Sequence, residues 1–378
     1  MAGIYLHIPF CASRCIYCGF YSTTDTGWRG RYVDALGREM QLRQEEFARL
    51  GSFSTVYYGG GTPSQLTPEH LAMLFNQLEK MLEKANGTVS WNQLEVTLEA
   101  NPDDLTAGYT EALGRLPFNR VSMGVQTFDD QRLRFLHRRH RSWQVMEAIH
   151  CLRAAGISNI SIDLMFGFPG QTLQEWATDI DKAIDLKVEH ISAYSLTYET
   201  GTALQQMLDR GEVEPVNEEL SRSMYEMLID RLTNAGFEHY EISNFGKVRS
   251  RHNSSYWQQQ PYIGLGAAAH SYDGTHRSWN IADLRQYVGA MERGERLCEE
   301  EEIDRTTRFN DLIVTALRTA DGLKFSWLSA AECDYLLRQA QPMVERRLLE
   351  RTADGIRLTR EGLFISDDIM TRLIRIDD

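Results

Sequence analysis

Tyr5-Leu6-His7-Ile8-Pro9-Phe10-Cys11-Ala12-Ser13-Arg14-Cys15-Ile16-Tyr17-Cys18-Gly19-Phe20 is the stretch on which the reading of this chain turns. An apolar, strand-like segment, Ile4 to Phe10, runs straight into three cysteines spaced C-x3-C-x2-C. Three thiolates on one loop can clasp a metal centre but cannot close it. A structural zinc site takes four protein ligands, and an ordinary iron–sulfur cluster takes four cysteines. A cluster held by Cys11, Cys15 and Cys18 leaves one iron open to bind another molecule. A zinc loop, or three buried core thiols, is the plainer alternative. Cys151, Cys298 and Cys333 are scattered and read as ordinary core or surface thiols.

Outward from this loop, the 378 residues allow one large domain and a smaller one. Hydrophobic residues at 42% and charged residues at 25% are those of a soluble globular protein. The net charge of -13 argues against nucleic acid or anionic lipid as a partner. No apolar run approaches a membrane span, and no signal-peptide pattern opens the chain. Six cysteines, three of them committed to a metal loop, suit a reducing cytoplasm. Composition leaves a homodimer, and peripheral contact with a membrane through a partner protein, open.

Strand-like and helical segments alternate through the first two-thirds. Leu6 to Phe10, Thr55 to Tyr58, Leu94 to Glu99, Arg120 to Val125, Ile160 to Met165 and His190 to Leu196 read as six strands. Helical stretches lie between them, including one from Arg31 to Leu50. This pattern predicts a parallel sheet, with active residues at the C-terminal strand ends as in full barrels. The fold expected is α/β, an incomplete (β/α)6 barrel over residues 1–235. An extension over 236–300 and a smaller, mostly helical, winged-helix-like domain over 301–378 follow. The acidic run Glu299 to Glu302 marks the boundary, and Ser329 to Gln341 and Met343 to Arg351 read as separate helices. The tail is read as a cover over the site.

Each strand end carries a polar or glycine-rich feature. Gly59-Gly60-Gly61-Thr62-Pro63 lets the backbone approach a ligand closely. Glu99 ends the third strand and Gln126 the fourth. Arg138 follows in a helix or loop, placed to clamp a carboxylate with two parallel hydrogen bonds. Asp163 puts a charge inside an apolar strand, which needs a reason. Singly, each also reads as a cap, a surface charge or a salt bridge. At successive strand ends they form one candidate site.

The cysteine loop, Gly59 to Ser64, Glu99 to Pro102, Gly124 to Phe128, Asp163 to Thr172 and Tyr240 to Asn244 resemble the oxygen-independent coproporphyrinogen III oxidase-like family of radical SAM proteins. That resemblance covers most of the chain. It implies a [4Fe–4S] cluster on Cys11, Cys15 and Cys18, with S-adenosylmethionine (SAM) on its unique iron. Reduction of such a cluster, by a donor such as a flavodoxin or ferredoxin, splits SAM to a 5′-deoxyadenosyl radical. Tyr5, Gly60, Gly61, Thr62, Glu99, Gln126, Arg138 and Asp163 fall on the family's SAM-binding positions, and Tyr17 beside the adenine. Departures from the family pattern are Gly19 for an acidic residue, His137 for a glycine before the arginine, and Ala268 for a glycine in Gly264 to Ser271.

Two features separate the decarboxylating enzymes of this family from its heme chaperones. The enzymes have a fourth cysteine where Phe20 stands, and a longer segment before the cluster strand, which here begins at Ile4. Arg251-His252-Asn253-Ser254-Ser255-Tyr256-Trp257 resembles the H-N-x-x-Y-W motif that the chaperones associate with heme. The resemblance thus implies His252, Asn253, Tyr256 and Trp257 as heme-site residues. Imidazole is a common axial ligand, and the aromatic rings can pack on a flat macrocycle. The same residues also suit a hydrogen-bonded core. The first expectation is a chaperone that binds heme and passes it to an acceptor, such as a respiratory-chain protein. The alternative is a radical SAM enzyme acting on a tetrapyrrole by oxidative decarboxylation of coproporphyrinogen III.

Overall fold

The computed structural model describes residues 1–376. Six strands, β1 (Ala2–Ile8), β2 (Phe53–Gly60), β3 (Glu95–Ala100), β4 (Arg120–Gln126), β5 (Asn159–Phe166) and β6 (His190–Ser195), lie side by side in chain order. All five pairings between them are parallel. Side chains alternate across a strand, and here the alternation sorts chemistry. Ile4, Leu6, Val56, Leu98, Val121, Met123, Ile160, Ile162 and Ile191 enter the large apolar core. The intervening positions carry Tyr5, His7, Tyr57, Thr97, Glu99, Arg120, Ser122, Ser161, Asp163, His190 and Ser192. One face of the sheet is therefore polar along most of its length.

The connecting helices start and stop where local chemistry dictates. Thr67 caps Pro68–Asn86 by accepting from the His70 N–H, proline opens the first turn, and Gly87 ends it at φ +82°. Thr172 and Glu175 form a reciprocal capping box at the start of Leu173–Asp185. The helix expected over Arg31 to Leu50 is instead two, Arg29–Leu42 and Gln44–Leu50. Arg43 leaves the helical conformation at the break and donates to Glu39, Glu46, Ser271 and the Gly264 carbonyl. Glu39 is 0% exposed and also accepts from Asn280 and Tyr287. This buried network joins the first helix to the extension.

The extension continues the same sheet at both ends. β7 (Glu238–Glu241) and β8 (Asn244–Gly246) add beyond β6. β9 (Tyr262–Leu265), β10 (His270–Tyr272), β11 (His276–Asn280) and β12 (Cys298–Glu302) add beyond β1, giving a twelve-stranded mixed sheet. The acidic run expected to mark a boundary is the edge strand β12, paired antiparallel with β11. Repelling carboxylates suit an edge because they discourage pairing with another chain.

Beyond it, Phe309, Leu312, Ile313, Leu336, Ile356, Ile369 and Leu373 form a separate core. β13 (Leu323–Lys324), β14 (Leu349–Arg351) and β15 (Gly355–Leu358) form the small antiparallel sheet of this domain. The segment expected as a helix from Met343 to Arg351 is the end of Ala330–Glu345 followed by β14. Pro342 sits inside that helix without ending it. This domain docks on the extension rather than on the cysteine loop. The Ala320 N–H donates to the Tyr240 carbonyl (2.9 Å), the Ile242 N–H to the Arg318 carbonyl (3.0 Å), and Arg249 pairs with Asp321 (2.7 Å).

Candidate functional site

The cysteine loop is pinned at both ends. The Thr23 N–H donates to the Pro9 carbonyl (2.7 Å), and the Cys11 N–H to the Thr23 carbonyl (2.9 Å). Between them Ile16 is buried in a satellite core with Leu136, Met165, Phe168, Leu196 and Leu204, and Tyr17 packs against it. Those partners follow or end β4, β5 and β6, so the loop is strapped across the C-terminal strand ends. Cys11 Sγ lies 3.5 Å from Thr62 Oγ1 beyond β2. Arg138 Nη1 lies 3.7 Å from Cys15 Sγ, bringing a cation to the thiol group. Burial pushes the Cys11 and Cys18 thiols up, so metal binding there displaces protons.

No three His, Cys, Asp or Glu side chains among the described residues converge on one metal ion. Zinc needs all its sulfurs about 2.3 Å from a common ion. Cysteines on a cluster each hold a different iron and stand further apart. The donor set, three thiols without a fourth, fits a cluster with an open iron.

Next to the loop, the glycines after β2 are there for want of room. A β-carbon at Gly61 would lie 2.8 Å from the Pro9 carbonyl group and 3.1 Å from Cys11 Sγ. Gly60 has φ +111°, and a β-carbon there would lie 2.6 Å from the His7 ring. Its N–H donates to Glu99 Oε2 (3.1 Å), and Tyr57 Oη donates to Glu99 Oε1 (2.7 Å). Burial pushes Glu99 up to about 7. Burial likewise pushes Asp163 up to about 6, with Ser122 donating to it at 3.4 Å. Tyr5 hydrogen-bonds His7 Nδ1 (3.1 Å) on the same face.

Gln126 has φ +69° at a register shift in β4, and its side chain makes no hydrogen bond among the described residues. It is free to meet a ligand. Arg138 is partly committed: Nη2 donates to Asn101 Oδ1 (2.6 Å) and to the Gly124 carbonyl and Nη1 faces Cys15, while Nε is buried with no hydrogen-bond partner among the described residues. These contacts make Arg138 a tether between β4, the loop after β3 and the cysteine loop, with Nε left over for a ligand. His137 and Ala268, two of the departures from the family pattern, lie at φ +60° and +61°. Glycine is usual there because it reaches this conformation without steric cost. At Gly19, a side chain would collide with the Glu199 carboxylate, which already occupies that space.

The H-N-x-x-Y-W segment is the short helix Arg251–Trp257, capped by Ser250. Its first N–H groups, Arg251 and His252, donate to Glu95 at 3.0 and 2.9 Å. Positions four apart share a helix face, and the motif splits accordingly. His252 and Tyr256 turn to the polar face of the sheet. His252 Nδ1 bonds Thr55 Oγ1 (2.7 Å) and Nε2 bonds Tyr256 Oη (2.8 Å). His252 is 1% exposed, and burial lowers its pKa to about 3. Both ring nitrogens are thus taken, and in this conformation His252 is not open to an iron. Asn253 and Trp257 turn outward; Arg318 lies over the Trp257 ring at 5.3 Å.

Two residues of the polar face went unremarked in the sequence. Tyr57 links Glu99 to the His252 ring. Arg120, which opens β4, is 2% exposed and makes no hydrogen bond or ion pair among the described residues. Its charge pulls the Glu99 and Asp163 pKa values down against burial. An arginine beginning an otherwise apolar strand was the available signal.

A family model described as the radical SAM superfamily matches residues 5–183. The chain is 32% identical to the heme chaperone HemW of Bacillus subtilis (strain 168), over 98% of each chain. It is also 32% identical to HemW of Lactococcus lactis subsp. lactis (strain IL1403), over 99% of this chain and 97% of that one. Identity to the mitochondrial radical S-adenosyl methionine domain-containing protein 1 of Mus musculus is 29%, over 99% of this chain and 87% of that one. Among solved structures, the coproporphyrinogen III oxidase HemN from Escherichia coli superposes with a TM-score of 0.82 at 22% identity, covering 99% of this chain and 90% of that one. The radical SAM fold with an appended helical domain, expected from the sequence, is the fold this chain has.

Proposed function

The chain belongs to the HemW heme chaperone family of radical SAM proteins, and from that membership we propose that it binds heme and delivers it to an acceptor protein. The observation that carries this reading is full-length likeness to heme chaperones, joined to an H-N-x-x-Y-W helix packed against the SAM face. Family membership implies a [4Fe–4S] cluster and SAM. When bound, they supply one-electron cleavage of SAM to a deoxyadenosyl radical. Cys11, Cys15 and Cys18 hold the cluster. Gly60 and Gly61 admit the ligand against bare backbone, and Glu99, Gln126 and Asp163 offer acceptors and donors to it. Tyr5, Tyr17 and Thr62 line the same region.

The acceptor is a heme-using protein, of which a respiratory-chain component is the first to test. The electron donor is a flavodoxin or ferredoxin, and a homodimer is the assembly to look for. No helix among the described residues is long and apolar enough to cross a membrane. A cytoplasmic protein meeting a membrane only through its acceptor agrees with that.

The test is a hemin titration of anaerobically reconstituted protein, with Soret absorbance read after gel filtration. Co-eluting heme near one equivalent is expected; none, with the cluster intact, overturns the reading. A second reading, radical chemistry on a tetrapyrrole, is supported by the intact polar face and by Arg120, a buried cation whose side chain makes no hydrogen bond or ion pair among the described residues. It requires conversion of coproporphyrinogen III to protoporphyrinogen IX by the reduced protein with SAM.

A further inference from the structure

The outward half of the motif helix faces a cleft of about 220 Å³ whose other wall is the C-terminal domain. Trp257 and Ser254 contribute from the helix, Trp327 and Lys324 from the C-terminal domain, and Tyr240 and Arg249 from the extension. Trp327 ends a single turn of 3-10 helix, Phe325–Trp327, next to β13. Indoles from two domains thus line one narrow space.

Two polar atoms there are unsatisfied. Ser254 Oγ and Trp257 Nε1 are buried and have no hydrogen-bond partner among the described residues. Burying a donor without an acceptor costs about 1–3 kcal/mol, and such atoms are rare enough in folded proteins to need an explanation. The lining carries two cations, Arg249 and Lys324, against one carboxylate, Asp321. Counted with their ion-pair partners, these cations leave no free positive charge at the rim. Each cation already has a carboxylate neighbour: Arg249 pairs with Glu238 and Asp321, and Lys324 with Asp354. The unclaimed recognition is therefore two N–H or O–H donors between flat aromatic walls. Two free donors beside two indoles suit a planar aromatic molecule that carries a hydrogen-bond acceptor, such as a carboxylate.

We propose that this cleft holds one edge of the heme macrocycle, between Trp257 and Trp327, with a propionate accepting from Ser254 Oγ and Trp257 Nε1. This rests on the heme reading above and moves the site to the opposite face of the helix from His252. Pockets that enclose a ligand of that class run to about 300–1,000 Å³. A space of about 220 Å³ grips an edge and leaves the rest of the ring in solvent. An edge-held heme is open to a second protein, as delivery requires. The C-terminal domain then serves as the second jaw of the site.

The experiment is titration of the anaerobically reconstituted full chain with hemin and with hemin dimethyl ester, for the wild type, Trp327→Ala, Trp327→Phe, Trp257→Phe and His252→Ala. Cluster absorbance and circular dichroism serve as controls for folding. Trp327→Ala is expected to weaken hemin binding at least tenfold, with Trp327→Phe recovering most of it. Trp257→Phe is expected to erase the wild-type preference for the free acid over the ester. Wild-type affinity in both Trp327→Ala and Trp257→Phe overturns the proposal. So does a folded His252→Ala that alone abolishes binding. A wild type that retains no hemin overturns the heme reading itself, which is a separate result.

Discussion

The imidazole of His252 lies flat against the phenol ring of Tyr57, with centroids 4.9 Å apart and planes 20° from parallel. The hydroxyl of that tyrosine donates to Glu99. The motif helix and the proposed SAM pocket therefore share a wall one side chain thick. His252→Ala removes two buried hydrogen bonds and a stacked ring, and strands Thr55 and Tyr256. From the usual costs of unsatisfied partners and truncated rings, a loss of about 2–4 kcal/mol is expected in urea denaturation. A change under about 0.5 kcal/mol, the range of an ordinary surface substitution, contradicts this structural role.

Acid stability follows from the buried histidines. Burial lowers His252 and His140 to about 3 and His7 to about 4. The unfolded chain protonates these groups below about 6.5 while the folded one does not. Their stabilisation is complete above that pH and is lost as pH falls toward the folded values. Glu99 works the other way, because its folded value is raised to about 7. Its contribution is complete below about 4.3, the ordinary glutamate value, and is lost as pH rises through 7. In the SAM-free protein, Glu99→Gln should therefore steepen the loss of melting temperature on acidification from pH 7. An unchanged slope would show that Glu99 is not buried as described.

Gly61→Ala tests how closely the cluster loop rests on β2. The added carbon would press on Pro9 and on Cys11 Sγ. Iron and sulfide per chain after reconstitution should fall by half or more, with the far-ultraviolet spectrum unchanged. Full occupancy would mean that the loop shifts freely, contrary to its two backbone ties.

Arg120 is a buried charge with no hydrogen-bonded or ion-paired side chain among the described residues, balanced only at longer range by Glu99 and Asp163. Removing a buried ion that no contact pairs relieves desolvation, which for such groups amounts to several kcal/mol. Arg120→Met is expected to raise the melting temperature of the ligand-free protein while weakening SAM or substrate binding. A destabilised Arg120→Met would instead mean that the guanidinium holds the polar face together through bound water.

The Glu39–Arg43 pair is the counter-case, because both partners are buried and bonded. Glu39→Ala leaves Arg43, Asn280 and Tyr287 short of an acceptor. A loss of about 3–5 kcal/mol is expected in thermal or urea unfolding, and the extension should exchange amide hydrogens faster.

Much of this protein is local and therefore legible in the chain. Three cysteines within eight residues point to a metal loop from their spacing alone. Alternation of apolar and polar residues along each strand determines which side faces helices and which faces a ligand, because the side-chain period of a strand is two. Asp163 stands out for that reason, and Gly60, Glu99 and Gln126 for their places at the strand ends. The acidic run lies where the separate C-terminal core begins, but the sequence does not show that it is the edge strand β12, because four carboxylates look the same in a linker and on a sheet edge.

What the tertiary structure alone decided are pairings between distant residues. His252 meets Thr55 across 197 positions of sequence, and only that contact turns a candidate iron ligand into a buried hydrogen-bonded ring. Position along the chain suggests a carboxylate for Arg138, and the fold commits its Nη2 to Asn101 and the Gly124 carbonyl while leaving Nε unpaired among the described residues. Trp257 and Trp327 line one cleft because two separately built cores dock at β7. Spacing along the chain specifies the local geometry of a loop or a strand. Which donors end without acceptors depends on the whole packed molecule, since every hydrogen bond made elsewhere removes a partner.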